Sequence, residues 1–461
     1  MKNISLKDQF NKYNKEISNI NYLLTKFQNN IKKIKNAQII KNIQQFNSSY
    51  NEYYSNYTGL KRFSIPVFGK ISSGKSTLLN YILNLHGLFE TNYNISTKFI
   101  CIVRHNPNLK EGPKIFNVCV SERGKFVKND KTIKLWNFEK SEEIKGDIKE
   151  IISNRNHELE KLEFRHSNWE KYFMILETNI PLFNNNIYSE LFEFLDVPGL
   201  NEFTGDDNIN KQFYYKDLLP FFIYNVGFSL YIFDAEKQES EDSFGIINNI
   251  MSQYFNNKEE KQKNSIFILN KIDKISNKKE EIENFQKILE KNLVCHIEKK
   301  GFFIGLSGLL MYLKRFKYES FFDYLYCIIE EYNKNEEISF EEYLIEKMSN
   351  DFKIKIEENL NFDDDDIELP VQQKNILNII NNKSIQKGLR GELSKGNYLY
   401  YNNYFVNYSK NKKEELGEQH KNFESLLIKS CKNTINDFFD NFKNINLQNE
   451  LMKELVLNKK T

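Results

Sequence analysis

A chain of 461 residues outgrows a single hydrophobic core, so a large domain with a second, smaller element is expected. With 65 Lys and Arg against 63 Asp and Glu, the net charge of +2 gives no reason to expect a nucleic-acid partner. The five cysteines, Cys101, Cys119, Cys295, Cys327 and Cys431, are odd in number and form no CxxC pair, which argues against a disulfide framework.

The N-terminus, MKNISLKDQF, lacks the apolar core of a signal peptide, and the longest apolar run, 302–313, is too short to cross a bilayer as a helix. The expectation is a cytoplasmic protein that can still dock peripherally on a membrane. The first regularity is a heptad: Leu6, Phe10, Tyr13, Ile17, Ile20, Leu24, Phe27, Ile31 and Ile34 follow one another at steps of four and three. Such a stripe lies along one side of a helix and seeks a partner, in the same chain or in a second copy.

From residue 64 to 307 the pattern changes to short apolar runs, 64–68, 99–103, 173–177, 191–195, 228–233, 266–269 and 302–306, alternating with polar, helix-like stretches. Strands alternating with helices predict an α/β domain with a mostly parallel sheet covered on both faces. The runs at 173–177 and 191–195, joined by IPLFNNNIYSE, are expected to pair as an antiparallel edge. The stretch between them and the second run, from His105 to Ser167, holds the charged segment EEIKGDIKEIISNRNHELEKL. It reads as a covering insertion or a partner surface. After about residue 309 the strands stop. The acidic run Asp363 to Asp366 before Pro370 reads as a solvated loop, and Phe423, Leu427, Cys431, Ile435, Phe438, Phe442 and Ile445 form a second helical stripe. The expected divisions are 1–59, a helix; 60–310, the sheet domain; and 311–461, a helical region, with the two helical parts packing as one bundle.

Three motifs carry chemistry. The strand FSIPVF runs into Gly69, Lys70, Ile71, Ser72, Ser73, Gly74, Lys75 and Ser76, which satisfies GxxxxGK[ST] and opens an apolar helix beginning at Thr77. The glycines let the backbone wrap a phosphate, and the amides at the helix start carry partial positive charge. Lys75 would bridge the β- and γ-phosphates and Ser76 would ligate magnesium. Asp196, Val197, Pro198 and Gly199 follow a second strand with the form DxxG; Asp196 would hold the Mg2+ through water and the Gly199 amide would bond the γ-phosphate. Asn270, Lys271, Ile272 and Asp273 fit the base-reading pattern [NT]KxD. The Asp273 carboxylate can accept two hydrogen bonds from guanine, which adenine does not offer; a built polar site of this kind discriminates by about ten-thousand-fold or more. GTP with magnesium is therefore the expected ligand, and GDP the product.

Two further positions are candidates. Thr97, 97 − 75 = 22 residues after Lys75, stands where a switch threonine would complete the magnesium shell, with Thr91 and Ser96 as competitors. Ser307 follows the last strand and would support the base. The histidines and cysteines show no metal-ligand spacing, and Trp136 and Trp169 no stacking pattern for nucleic acid.

With these residues placed, the chain resembles the dynamin-superfamily large GTPases. The signs are a P-loop of the form GxxSxGKS, in which Ser72 fills the serine, a threonine about twenty residues later, and FMILETNIPLF leading to LFEFLDVPGL. The resemblance implies GTP hydrolysis, with Lys75, Thr97 and Ser72 serving catalysis, pairing of G domains between copies, and helices moved by the nucleotide cycle. In two respects the chain departs from the family. The position two after Gly69, where dynamins place a polar residue that orients water or neutralises charge, is Ile71, and the helical remainder is too short for a full stalk and lipid-binding domain. A slow GTP/GDP switch that recruits a partner is the competing reading. A small immunity-related type is disfavoured by the interval of 196 − 75 = 121 residues between P-loop and DxxG.

Overall fold

The computed structural model describes residues 5–17, 41, 57, 59–70, 73–84, 99–109, 112–128, 131–161, 170–184, 188–199, 225–235, 244–245, 247–248, 264–272, 278–293, 303–306 and 421–443. Helix α1 covers 6–17. Then come β1 (Phe63–Gly69), α2 (Lys75–Leu83), β2 (Ile100–His105), β3 (Lys114–Lys128), β4 (Lys131–Ile144) and α3 (Ile148–Lys161). They are followed by β5 (Phe173–Thr178), a short 3-10 turn (Pro181–Phe183), β6 (Phe192–Asp196), β7 (Ser229–Asp234), β8 (Ser265–Asn270), α4 (Lys278–Asn292) and β9 (Phe303–Leu306). Helix α5 spans 421–443.

The nine strands form one sheet in the order β4-β3-β5-β2-β6-β1-β7-β8-β9. From β6 to β9 neighbouring strands are parallel. All seven predicted apolar runs are strands. Their side chains are buried on both faces in β1, β5, β6, β7 and β8, which is why they read as continuous apolar runs rather than alternating ones. Pro66 lies inside β1 without disrupting it. It falls between the isolated bridge Ser64↔Val226 and the start of the β7 ladder at Val67↔Leu230, where a missing N–H breaks no ladder bond.

One expectation is corrected. β5 and β6 do not pair: β2 lies between them, parallel to β5 and antiparallel to β6. Thirteen residues of sequence lie between their ends, enough to pass over a strand. The charged stretch after His105 that reads as helix-like carries α3. The rest of that segment, for which no element was expected, is a long antiparallel ribbon, β3 with β4, joined to the sheet through β5 at Lys114 to Asn117. Its rows of Lys and Glu are those of an edge ribbon wetted on one side.

The ribbon arches back over the sheet. Asn137 Nδ2 donates to the Gly59 carbonyl at 2.9 Å, Lys61 pairs with Glu139 at 2.9 Å, Asn225 Nδ2 donates to the Trp136 carbonyl at 3.1 Å, and Arg104 donates to the Phe138 carbonyl. Beneath it runs a buried polar row across three adjacent strands. Ser64 Oγ donates to Glu193 Oε1 at 3.1 Å, and Arg104 Nε meets Glu193 Oε2 at 2.9 Å.

The opposite face carries the terminal helices. Phe10 of α1 lies 4.5 Å from Phe438 of α5 and 5.5 Å from Phe63 of β1, and Tyr13 lies 4.3 Å from Phe442. Phe423, Leu427, Cys431, Ile435, Phe438 and Phe442 are all buried, so the described part of the second stripe is an apolar contact face. α1 and α5 therefore meet in one chain, against β1. The heptad from Ile20 onward, Ile445 and the acidic run Asp363 to Asp366 lie outside the described residues. Among those described, no helix is long and apolar enough to cross a membrane.

Candidate functional site

The carboxyl ends of β6, β1, β7 and β8 stand side by side and bear Asp196, Gly69, Asp234 and Asn270. In a parallel sheet this edge is where a ligand is held. From Gly69 the chain turns into α2, whose N-cap is Gly74 at φ 87°, in the left-handed region. That turn aims the first amides of α2 at the loop's concavity, the arrangement that binds anions at a helix start. Asn84, at φ 53°, ends the helix.

The loop is clamped from the far side of the sheet. Asn270 Nδ2 donates to the Ser73 carbonyl at 2.8 Å, and a Cβ on Gly74 would stand 2.1 Å from that same nitrogen. At Gly69 an added Cβ would stand 2.6 Å from Ser73 Oγ. The Ser73 hydroxyl is fully buried and makes no hydrogen bond among the described residues. The cradle is thus one that only glycines permit, with a polar atom turned into it.

Lys75 leaves the first turn of α2 for the end of β6. Its Nζ lies 2.8 Å from Asp196 Oδ1 and also donates to the Val197 carbonyl. Both side chains are buried, so removing either partner would strand the other's charge at a cost of about 3–5 kcal/mol. Asp196 is also the strand partner of Cys101 on β2. Burial first, and the Asp196 charge second, push the Cys101 thiol well above its ordinary range, which makes it an inert core residue.

At the end of β8, Lys271 has φ 65°, one of two described non-glycine residues with positive φ. Such a conformation costs about 1–2 kcal/mol and persists only where surroundings enforce it. Its ammonium lies 2.6 Å from Asp234 Oδ2 at the end of β7.

The structure thus brings together Gly69, Ser73, Gly74, Lys75, Ser76, Thr77, Asp196, Gly199, Asn270 and Lys271, the sequence candidates that fall on described residues, at one end of the sheet. Ile71, Ser72, Thr91, Ser96, Thr97, Asp273 and Ser307 lie outside the described residues. Two links escaped the sequence reading: the Asn270 bond to the P-loop and the Asp234 pair with Lys271. Asp234 had a signal, since it closes the buried run SLYIF as Asp196 closes FEFL.

A strand, a glycine cradle, a helix opening with Lys75, and acid and amide groups at the neighbouring strand ends define a P-loop nucleotide-binding fold. Residues 65–272 match the model of the Dynamin family, and that stretch is similar to a dynamin-type G domain. Among solved structures, Era in complex with MgGDPNP and nucleotides 1506–1542 of 16S ribosomal RNA is 16% identical, over 54% of this chain and 52% of that chain, with a TM-score of 0.26. The chain thus spans about half the length of that protein. An oligomerised bacterial dynamin pair, described as a mechanism for long-range sensing and tethering of membranes, is 14% identical over 98% of this chain and 77% of that chain, with a TM-score of 0.31. No curated protein matches the chain.

Proposed function

We propose that this chain is a magnesium-dependent mechanochemical GTPase, in which the state of the nucleotide moves the helices packed beside the sheet and two copies associate through their G domains. The observation that carries this reading is a connection through α2. That helix begins at Lys75 in the phosphate loop, and Tyr81, six residues on, donates to Glu424 of α5 at 3.4 Å. α5 in turn donates from Thr434 to the Gly227 carbonyl at 3.4 Å and packs Phe438 against Phe10. A shift at the phosphates is thereby mechanically continuous with the helical layer.

The roles follow from the chemistry of each group. The glycine cradle and the Ser73, Ser76 and Thr77 amides would bind phosphate, with Lys75 neutralising charge between the terminal phosphates. Ser76 and Asp196 supply the hard oxygen donors that suit Mg2+, with Thr97 as the proposed third. Magnesium held there would offset the charge that builds on the breaking phosphate bond. The Gly199 amide would sense the γ-phosphate, Asn270 holds the loop toward the base side, Asp273 would read guanine, and Ser307 would support it. Ser72 and Thr97 would help the attacking water. The place of action is the cytoplasm, with peripheral docking on a membrane.

Ile71 favours a second reading, a slow switch that recruits a partner, because an aliphatic chain at that position can neither orient water nor neutralise charge. Turnover per molecule measured across a hundredfold range of protein concentration separates the two. A steep rise with concentration is expected of the mechanochemical enzyme; a slow, flat rate would leave the switch. A Lys75→Ala variant that hydrolyses GTP at the parent rate would overturn the site itself.

A further inference from the structure

We infer that the ribbon of β3 and β4 is a strap across the hinge between the sheet and its helical layer, and that its grip through Asn137 and Glu139 sets how readily the helices swing. This rests on the reading above that nucleotide moves those helices. The helical layer meets the strands at two described joints. At the first, Tyr57 packs 5.1 Å from Phe438 of α5, and the chain then enters β1 at Phe63. Gly59 between them has φ 63°, and a Cβ there would stand 2.9 Å from the Arg123 carbonyl oxygen of β3, so only glycine lets ribbon and joint approach so closely. At the second, Gly227 leads toward β7 while its carbonyl accepts from Thr434 of α5 at 3.4 Å. Neighbouring ribbon residues hold both joints. Asn137 Nδ2 donates to the Gly59 carbonyl at 2.9 Å, and the Trp136 carbonyl accepts from Asn225, just before Gly227, at 3.1 Å.

The ribbon has a firm base and a weaker grip. At its base a row of polar and charged residues crosses the sheet in register: Ser64 of β1, Glu193 of β6, Arg104 of β2, Glu177 of β5 and Lys114 of β3 are successive strand partners. Arg104 and Glu193 are buried 2.9 Å apart, and Lys140 of β4 reaches Glu177 at 2.8 Å. Breaking a buried pair leaves an uncompensated charge, so the base stays in place. The grip is of another kind. Glu139 meets Lys61, just past Gly59, at 2.9 Å, but the two side chains are 34% and 57% exposed, and an ion pair so wetted holds weakly. The grip can therefore open while the base remains anchored. It lies at the amino end of β1, whereas the phosphate loop leaves the carboxyl end, so the strap acts on transmission and not on the chemistry.

The test is the separation of two fluorophores, incorporated as unnatural amino acids at the exposed Lys287 of α4 and Lys432 of α5 of the full chain. Single-molecule energy transfer reads it without nucleotide and with magnesium and a non-hydrolysable GTP analogue. In the parent the analogue is expected to shift the separation. Asn137→Asp, which removes the donor to Gly59, and Lys61→Met should each raise the shifted population without nucleotide about fivefold, the weight of one ordinary polar contact. The apparent affinity for the analogue should tighten by the same factor, because the competent arrangement is already populated. Lys61 is exposed, so its variant reads the same grip should the buried Asn137→Asp not fold. Glu143→Gln breaks a ribbon pair with Lys114 at the base and should leave both readouts at the parent values. A parent whose separation ignores the analogue overturns the nucleotide-driven movement and this inference together. With that response present, grip variants that match the parent overturn the inference alone. Equal effects from Glu143→Gln would assign the ribbon a merely structural role and overturn it as well.

Discussion

At Gly74 an alanine would meet two obstacles at once. Its φ of 87° lies where a Cβ collides with its own backbone, and the new carbon would stand 2.1 Å from Asn270 Nδ2. Asn270 is buried, so its amide can yield only by breaking the bond to the Ser73 carbonyl. The strain of about 1–2 kcal/mol and the lost hydrogen bond of about 1 kcal/mol together predict that Gly74→Ala lowers the unfolding free energy by about 2–3 kcal/mol. Urea unfolding measures that loss, and GTP binding should fall with it. The phosphate loop, DVPG and NKID were legible in the sequence because each needs particular residue types at fixed spacing after a strand. The links between them were not, because Asn270 to Ser73 and Lys271 to Asp234 join residues far apart in the chain. Spacing along a sequence carries no information about which strand tips become neighbours.

Among the elements, β2 shows what sits behind a wrong pairing. Adjacent strands in sequence usually pair, and β5 and β6 would have obeyed that tendency had β2 not reversed direction to fill the place between them. β2 ends at His105, whose Nδ1 accepts a hydrogen bond from the Ile180 amide at 3.0 Å and so ties β2 to the connection leaving β5. Burial lowers the His105 pKa below its ordinary value of 6.5. A depressed histidine pKa means that the unfolded chain takes up the proton first. The stabilisation is complete above pH 6.5 and declines as pH falls below it. The melting temperature is therefore expected to drop between about pH 7 and pH 5.5. His105→Asn, which keeps an acceptor but cannot titrate, should show a smaller drop over the same interval; equal drops would place the titrating group elsewhere. The ribbon of β3 and β4 escaped notice for a different reason. An edge ribbon with Lys and Glu along it has no apolar run to detect, and register is settled by partners the sequence does not name.

Taken whole, the molecule joins its two ends on one face of the sheet. Phe10 and Tyr13 of α1 lie against Phe438, Phe439 and Phe442 of α5, and Phe10 also reaches Phe63, so α1 covers apolar surface on both α5 and β1. Asn14 Nδ2 adds a bond to the Leu60 carbonyl at 2.9 Å, just before β1. Removing residues 1–45 is expected to expose this aromatic cluster, lower the melting temperature and produce aggregation visible by light scattering. A truncated protein that stays monomeric with unchanged melting would show that α1 contributes nothing to the fold. The heptad was readable as a stripe in search of a partner, expected to be the C-terminal helix, and its described part, from Leu6 to Ile17, lies against α5 of the same chain.

The outer rim of β4 has a consequence for how this protein can meet its own kind. A sheet with a bare border invites strands from other molecules to dock on its unused carbonyls, the commonest route to fibrous misassembly. Here two of those carbonyls, on Trp136 and Phe138, already accept protons from Asn225 and Arg104, side chains rooted well inside the sheet. A visiting strand would have to displace Arg104 from the Phe138 carbonyl, while the same guanidinium is anchored through its Nε to the buried Glu193. Border-to-border growth is therefore resisted at this rim, and the far border, β9, is only four residues long. At this rim the sheet is thus closed to extension by its own side chains.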